Sequence, residues 1–251
     1  MGVRVEDLDS LIGVWSRRSI RWPDGREDLT TRVWWVQGRT HFVDIRIPAE
    51  RPSFAGIRSL GDCDPEQRAW LSRQEGFAGT LEVANGAWLW NRWLDFNPPT
   101  GKRDIGRLIF ADEHKQMMIE EGVDESYTEV WERIDDAAST NGEAFVMRLR
   151  SEREVGMLVA VGRHFILAID NRKIDGSDHQ IHPFNVEISH GIRTGPISEW
   201  IVSDSACFWR EGTSAFGDSK LNIDWSKREL IGSRSWEILE PPPGHQCDFI
   251  F

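Results

Sequence analysis

Cysteine is scarce in this 251-residue chain: Cys63, Cys207 and Cys247 are three, an odd number at wide spacing, with no Cys-x-x-Cys pair. That pattern argues against a disulfide framework and a thiolate zinc site, and fits reduced thiols in a cytoplasmic protein. Long apolar runs are missing too. No stretch reaches 18 apolar residues, and the first ten residues, MGVRVEDLDS, are charged where a secretory signal needs an apolar segment. Basic runs are absent. The formal net charge is −11, from 41 acidic against 30 basic residues, and no Lys/Arg stripe could neutralise phosphates. Neither nucleic acid nor a membrane is therefore an expected partner. The chain also lacks a Gly-x-Ser-x-Gly elbow, a phosphate-cradling loop, a dinucleotide fingerprint and a His-Glu-x-x-His pair. The motif-bearing enzyme classes are removed and no cofactor is expected, but acid–base chemistry by dispersed residues stays open.

What the chain has is aromatic volume: 13 Trp and 12 Phe against a single Tyr. Most of it sits in short segments rich in Val, Ile, Trp and Phe, separated by turn residues, which is the signature of strands. Eight are expected in the first half: 11–20, 30–37, 41–47, 77–83, 87–96, 103–110, 115–121 and 127–134. Asp24-Gly25, Gln37-Gly38, Asn85-Gly86 and Pro98-Pro99-Thr100-Gly101 supply hairpin chemistry. One helix is expected over 64–74, with Asp64-Pro65 as cap and first-turn proline and Gly76 as its stop. The polar stretch 135–142 reads as a linker. A second series follows at 145–151, 155–161, 164–170, 184–189, 199–203, 221–224, 229–231 and 234–239. Trp131-Glu132 and Trp236-Glu237 lie 105 positions apart, as though a closing strand recurs. The expected fold is all-β, with two consecutive antiparallel barrels over 1–138 and 143–251, since closure removes exposed strand edges.

Gly13-Val14-Trp15 on the first strand resembles the Gly-x-Trp signature of lipocalins and other calycins, in which the Trp plugs the closed end of the barrel. Phe77-Ala78-Gly79-Thr80, Trp93 to Asn97, Glu120-Glu121-Gly122, Glu129 to Asp135 and the 156–170 hairpin are more specific. In order and spacing they resemble the fungal casein-kinase-interacting (HRI-type) family, over roughly residues 54–170. That resemblance implies two successive calycin-like barrels. It brings no catalytic residues with it.

Four constellations could carry chemistry. Alternation along Ala87 to Phe96 puts Trp88, Trp90, Arg92, Leu94 and Phe96 on one face and Leu89, Asn91, Trp93 and Asp95 on the other. With Trp34 and Trp35 they make either core packing or an aromatic ligand cavity in which Arg92 pairs with a carboxylate or stacks on a ring. In His41 to Ile47, Val43, Ile45 and Ile47 share one face and Phe42, Asp44 and Arg46 the other. Asp44 and Arg46 are then an exposed ion pair, or a polar floor inside the barrel if the apolar face meets a partner. Of Glu120 and Glu121 one must face inward if the strand closes the barrel, where burial would raise its pKa; if the strand frays into Gly122, both are wet. His179 and His182 form a His-x-x-His spacing in what reads as a loop, which does not impose a metal geometry, and no metal site is assigned.

Three functions compete. The first is a calycin-type protein binding a small apolar or aromatic molecule through Trp34, Trp35, Trp88, Trp90 and Arg92, with a protein partner or homodimer as a further option. The second is a cofactor-free enzyme (an isomerase, cyclase, lyase or decarboxylase) working through Asp44, Arg46 and Glu120. The third is a protein-interaction scaffold. A polar-floored pocket favours the enzyme, an apolar one the binder and a packed interior the scaffold.

Overall fold

A computed structural model describes residues 3–5, 7–58, 60–97, 101, 103–134, 144–152, 154–172, 186–217 and 221–241. The linker expected at 135–142, His179, His182 and Cys247 lie outside these residues.

The chain is all-β apart from one α-helix and short 3-10 turns. The first sheet holds β1 (Val3–Arg4), β2 (Gly13–Arg21), β3 (Glu27–Asp28), β4 (Arg32–Gln37) and β5 (His41–Ile47). It continues with β6 (Glu75–Ala84), β7 (Ala87–Asp95), β8 (Asp104–Phe110), β9 (Met117–Gly122) and β10 (Thr128–Arg133). Its strands run β8-β7-β6-β5-β4-β2-β10-β9 and β9 returns to β8, so eight strands close into an antiparallel barrel. Asn85 and Gly86, both at positive φ, turn β6 into β7, the geometry that two-residue hairpins require. The two-residue strands β1 and β3, which have no alternation to betray them, pair with β8 and β2.

The second sheet comprises β11 (Ala144–Leu149), β12 (Val155–Val161), β13 (His164–Asp170), β14 (Val186–Arg193) and β15 (Trp200–Ser205). It is completed by β16 (Asn222–Asp224), β17 (Glu229–Ile231) and β18 (Ser235–Glu240). Their order is β15-β14-β13-β12-β11-β18-β17-β16, and the two edge strands are not paired with each other among the described residues. One face gathers Phe145, Leu158, Leu167, Trp200, Leu230 and Trp236 into a core of its own. The two Trp-Glu strands take similar places, β10 beside β2 and β18 beside β11, with Trp131 and Trp236 in their own sheets' cores, but only β10 belongs to a sheet that closes among the described residues.

Between the sheets lies a third apolar layer. Val43, Ile45 and Ile47 from β5 and Val36 from β4 meet Met157, Val159, Ile166 and Ile188 of the second sheet. This explains why strands such as β12 and β13 are buried on both faces and read as near-continuous apolar runs. The helix α1 (Pro65–Leu71) packs Trp70 and Leu71 on the same layer. Asp64 and Gln67 form a reciprocal capping box at its start, worth about 1 kcal/mol. The helix stops earlier than its sequence suggests, at Leu71, where the Ser72 N–H still bonds the Arg68 carbonyl. Gly76 is not its stop but already a residue of β6.

Strict alternation fails on β7. Ala78 pairs with Leu94 but Gly79 with Arg92, so Trp93 is an extra residue and a β-bulge. Gly79 makes the bulge possible, because a Cβ there would stand 1.8 Å from the Asn91 carbonyl oxygen. The bulge reverses the faces expected beyond Arg92. Leu94 and Phe96 leave the barrel face and join the layer between the sheets, and Asp95 turns to the Arg92 side.

Candidate functional site

One end of the first barrel is plugged. Trp15 is fully buried, stacks on Trp35 and Phe110, and donates its indole N–H to the Leu11 carbonyl at 2.9 Å. The Arg133 guanidinium lies 4.3 Å over the Trp15 ring and donates to the Ile12 and Ser10 carbonyls at 2.7 and 2.6 Å. Trp88 belongs to this packed interior. It is buried core and does not border the open space described next.

Above the plug the interior is not filled. A cavity of about 150 Å³ remains, walled by Trp35, Phe42, Phe77, Trp90, Tyr127 and Trp131. Its floor carries Asp44, Arg46, Arg92, Asp104, Glu120 and Glu129. Each arrives by strand parity. Asp44 stands between Trp35 and Phe77 in register, and its neighbours Val43 and Ile45 face the second sheet. Because that apolar face is covered, Asp44 and Arg46 sit inside the barrel and are not an exposed pair. Strand β9 stays ordered through Gly122, so Glu120 points inward and is buried, and Glu121 is only partly buried.

The charges are organised. Arg46 Nε donates to both Asp44 oxygens at 3.1 and 3.3 Å and its other arm stands 3.6 Å from Glu129. Arg17 donates to Glu129 at 2.6 Å and lies 3.3 Å from Asp28. Arg92 binds Asp104 at 2.6 Å and Asp95 at 2.9 Å, with its guanidinium 3.6 Å over the Phe77 ring. Arg92 is thus satisfied by the chain's own carboxylates and ring. Glu120 accepts from the Tyr127 hydroxyl at 2.7 Å and the Trp131 indole at 3.1 Å. Burial pushes the Asp44 carboxyl up to about 6 against the pull of Arg46. Burial, and then the charges of Glu129 and Asp104, hold Glu120 well above the usual carboxylate range. Desolvation likewise raises the Tyr127 hydroxyl.

Trp34 is not part of this cavity. It alternates to the outside of β4 and stacks on His190 of the second sheet at 4.3 Å, donating its indole N–H to Asp204 at 3.2 Å. His164 Nδ1 and His190 Nε2 are 3.1 Å apart, and Arg32 holds Asp204 at 2.8 Å. Burial depresses the His190 pKa, so a neutral ring is favoured in this interface.

Two shallower pockets are larger. One of about 420 Å³ flanks the barrel, shares Trp90, Arg92 and Asp104 with the cavity, and adds Trp93 and Arg172. The other, of about 310 Å³, borders the second sheet with Leu167, Phe216, Trp236, Arg210 and Arg234. Both arginines there are paired, with Glu187 and Glu154. Volume ranks these above the barrel cavity, but they are somewhat more open, and Arg92, Arg172, Arg210 and Arg234 in them are already paired. No group of three His, Cys, Asp or Glu able to hold a metal occurs among the described residues. No helix among them is long and apolar enough to cross a membrane.

Asp44, Arg46, Glu120, Trp35, Trp90 and Arg92, which stand apart in sequence, are therefore brought to one space, and Trp34 and Trp88 are not. Asp104, Tyr127 and Glu129 had gone unnoticed. Glu129 was legible, being two residues before Trp131 and so on the same strand face.

The model of a family described as Protein HRI1 matches residues 13–190, more than half of the chain. None of the curated proteins matches it. Among solved structures the chain is similar to the crystal structure of the uncharacterized protein YLR301w from Saccharomyces cerevisiae. The TM-score is 0.57 at 14% identity, over 90% of this chain and 97% of that one. At that identity the likeness concerns the fold alone.

Proposed function

The chain belongs to the HRI1 family, and from the geometry of its first barrel we propose that it is a small-molecule binding protein whose ligand enters that barrel. The observation that carries the reading is the unfilled, partly open space above the Trp15 plug, with aromatic walls and a polar floor. A scaffold would have no reason to leave it unpacked, since a void forfeits contacts on every lining atom. Its size is that of an apolar cavity known to take a single benzene ring, roughly 150 Å³. A purely apolar ligand would leave the cavity-facing polar atoms of Asp44 and Glu120 with no partner beyond Arg46, Tyr127 and Trp131. The ligand is accordingly one aromatic ring carrying a polar group. Thermal-shift and tryptophan-fluorescence titrations with single-ring phenols, acids and amines test this, alongside fatty acids as oversized controls. A ligand at about a hundred times its Kd adds about 2.7 kcal/mol to stability. No stabilisation by any single-ring compound removes the reading.

A second reading rests on Asp44 and Glu120, two carboxyl groups with raised proton affinity on one cavity, one near 6. Such a pair suits a cofactor-free lyase or isomerase exchanging protons with a bound substrate. Once a ligand is in hand, NMR follows its conversion. Turnover unchanged in Asp44→Asn and Arg46→Ala would take both residues out of any mechanism.

A further inference from the structure

We infer that the barrel cavity takes a ligand carrying a protonated amine, seated against Glu120. The inference rests on the binding reading above and names its ligand class.

The argument begins with a cross-strand pair. Glu120 on β9 and Glu129 on β10 are direct partners in the antiparallel register, and both are buried. Two carboxylates opposite one another on an inward face repel, and with little solvent the repulsion is poorly screened. Glu129 has an answer in Arg17 at 2.6 Å and Arg46 at 3.6 Å. Asp44 has Arg46, and Asp104 has Arg92. Glu120 makes no ion pair among the described residues; it has only the neutral donors Tyr127 and Trp131.

The space beside it is short of positive charge. Four carboxyl groups line the cavity against two guanidinium groups, both already engaged. Counting Arg17, Asp28 and Asp95 in the surrounding pairs leaves the imbalance in place. An anionic ligand would add to the repulsion and find no free cation. A neutral one would leave Glu120 as it is. A small ammonium supplies the missing counter-ion, and the aromatic walls, Trp90 among them, suit the ring that carries it. Without a ligand the proton on Glu120 serves the same purpose, favoured by burial and by Glu129 and Asp104. The amine therefore displaces that proton: the carboxyl proton leaves to solvent, the O–H bond breaks, and a carboxylate–ammonium pair remains.

The test uses three compounds of one size, benzylamine, benzyl alcohol and benzoate, in calorimetric titrations of the full chain at pH 7. Each titration is repeated in two buffers of different ionisation enthalpy so that proton release is counted. Benzylamine is expected to bind at least tenfold tighter than the other two, with a net release of protons. In Glu120→Gln that preference is expected to vanish, along with the released proton. The variant folds by design, because the amide oxygen can accept from Trp131 and its NH₂ can donate to the Tyr127 oxygen, and its melting curve checks this. Benzyl alcohol or benzoate binding as tightly as benzylamine overturns the inference and leaves the binding reading standing. Binding of none of the three in the wild type overturns both. An amine preference that survives Glu120→Gln, or that releases no proton, overturns the assignment to Glu120.

Discussion

Asp44→Asn isolates what it costs to bury a carboxylate beside the cavity. In the folded chain the Asp44 carboxyl titrates near 6, against an ordinary value of 3.8. The sign follows from proton counts. Between those two pH values the native state holds a proton that the unfolded chain has lost, so raising the pH through the window lowers stability. At 1.36 kcal/mol for each unit, a displacement of roughly two units is worth about 3 kcal/mol. Asparagine has no such titration. The difference in unfolding free energy, variant minus wild type, should therefore grow by about 3 kcal/mol between pH 2.5 and pH 7, whatever constant offset arises from altered bonds to Arg46. Urea unfolding of both proteins at half-unit steps measures it, and the subtraction removes every other titrating group. A difference that stays flat across the window, or that shrinks as pH rises, would refute the claim that Asp44 is desolvated inside a closed barrel.

Glu240 should show the opposite slope. Its carboxylate accepts from the Arg39 and Thr40 backbone N–H groups at 2.7 and 3.2 Å and stands 2.8 Å from His41 Nδ1, tying the second sheet to the β4–β5 turn. Burial works against the charge, but these donors still hold its pKa below the usual value. Glu240→Gln is expected to lose about 2 kcal/mol at pH 7, a loss that fades as pH falls through and below the ordinary glutamate range; the same urea series reads it. Gly79→Ala should cost about 3 kcal/mol or more, since the new methyl meets the Asn91 carbonyl; a melting temperature within 2 °C of wild type, taking about 3 °C per kcal/mol for a chain of this length, would deny the bulge its role. Arg133→Met removes three charge-assisted hydrogen bonds and the cation over Trp15. It should destabilise the chain by about 3 kcal/mol and shift the near-ultraviolet circular dichroism of the buried indoles. An unchanged spectrum would show that the plug does not depend on it.

Much of the barrel was legible because its determinants are local. Runs rich in Val, Ile and Phe bounded by turn residues mark β5, β12 and β13 to the residue, and Asp64-Pro65 announces α1 with its cap. Parity also told which residues of His41 to Ile47 share a face, though not which face is inside. That choice was made by the second sheet: once Met157, Val159 and Ile188 cover Val43 and Ile45, Asp44 and Arg46 have nowhere to point but inward. The same covering drew Trp34 away from the cavity and onto His190. Where sequence reasoning failed, an exception to periodicity was responsible. One inserted residue at Trp93 moved Leu94 and Phe96 across the sheet and brought Asp95 to Arg92. Nothing in a strand's own composition states its register against a neighbour.

The sequence by itself therefore determined most of the longer strands and turns and, away from the β7 bulge, the parity of their side chains, because these depend on residues a few positions apart. Only the tertiary structure decided which parity is interior, that Glu120 stands opposite Glu129, and that arginines answer every carboxylate lining the cavity except one. Those facts depend on strands far apart in the chain closing on one another, and burial and electrostatic pairing are properties of that closure.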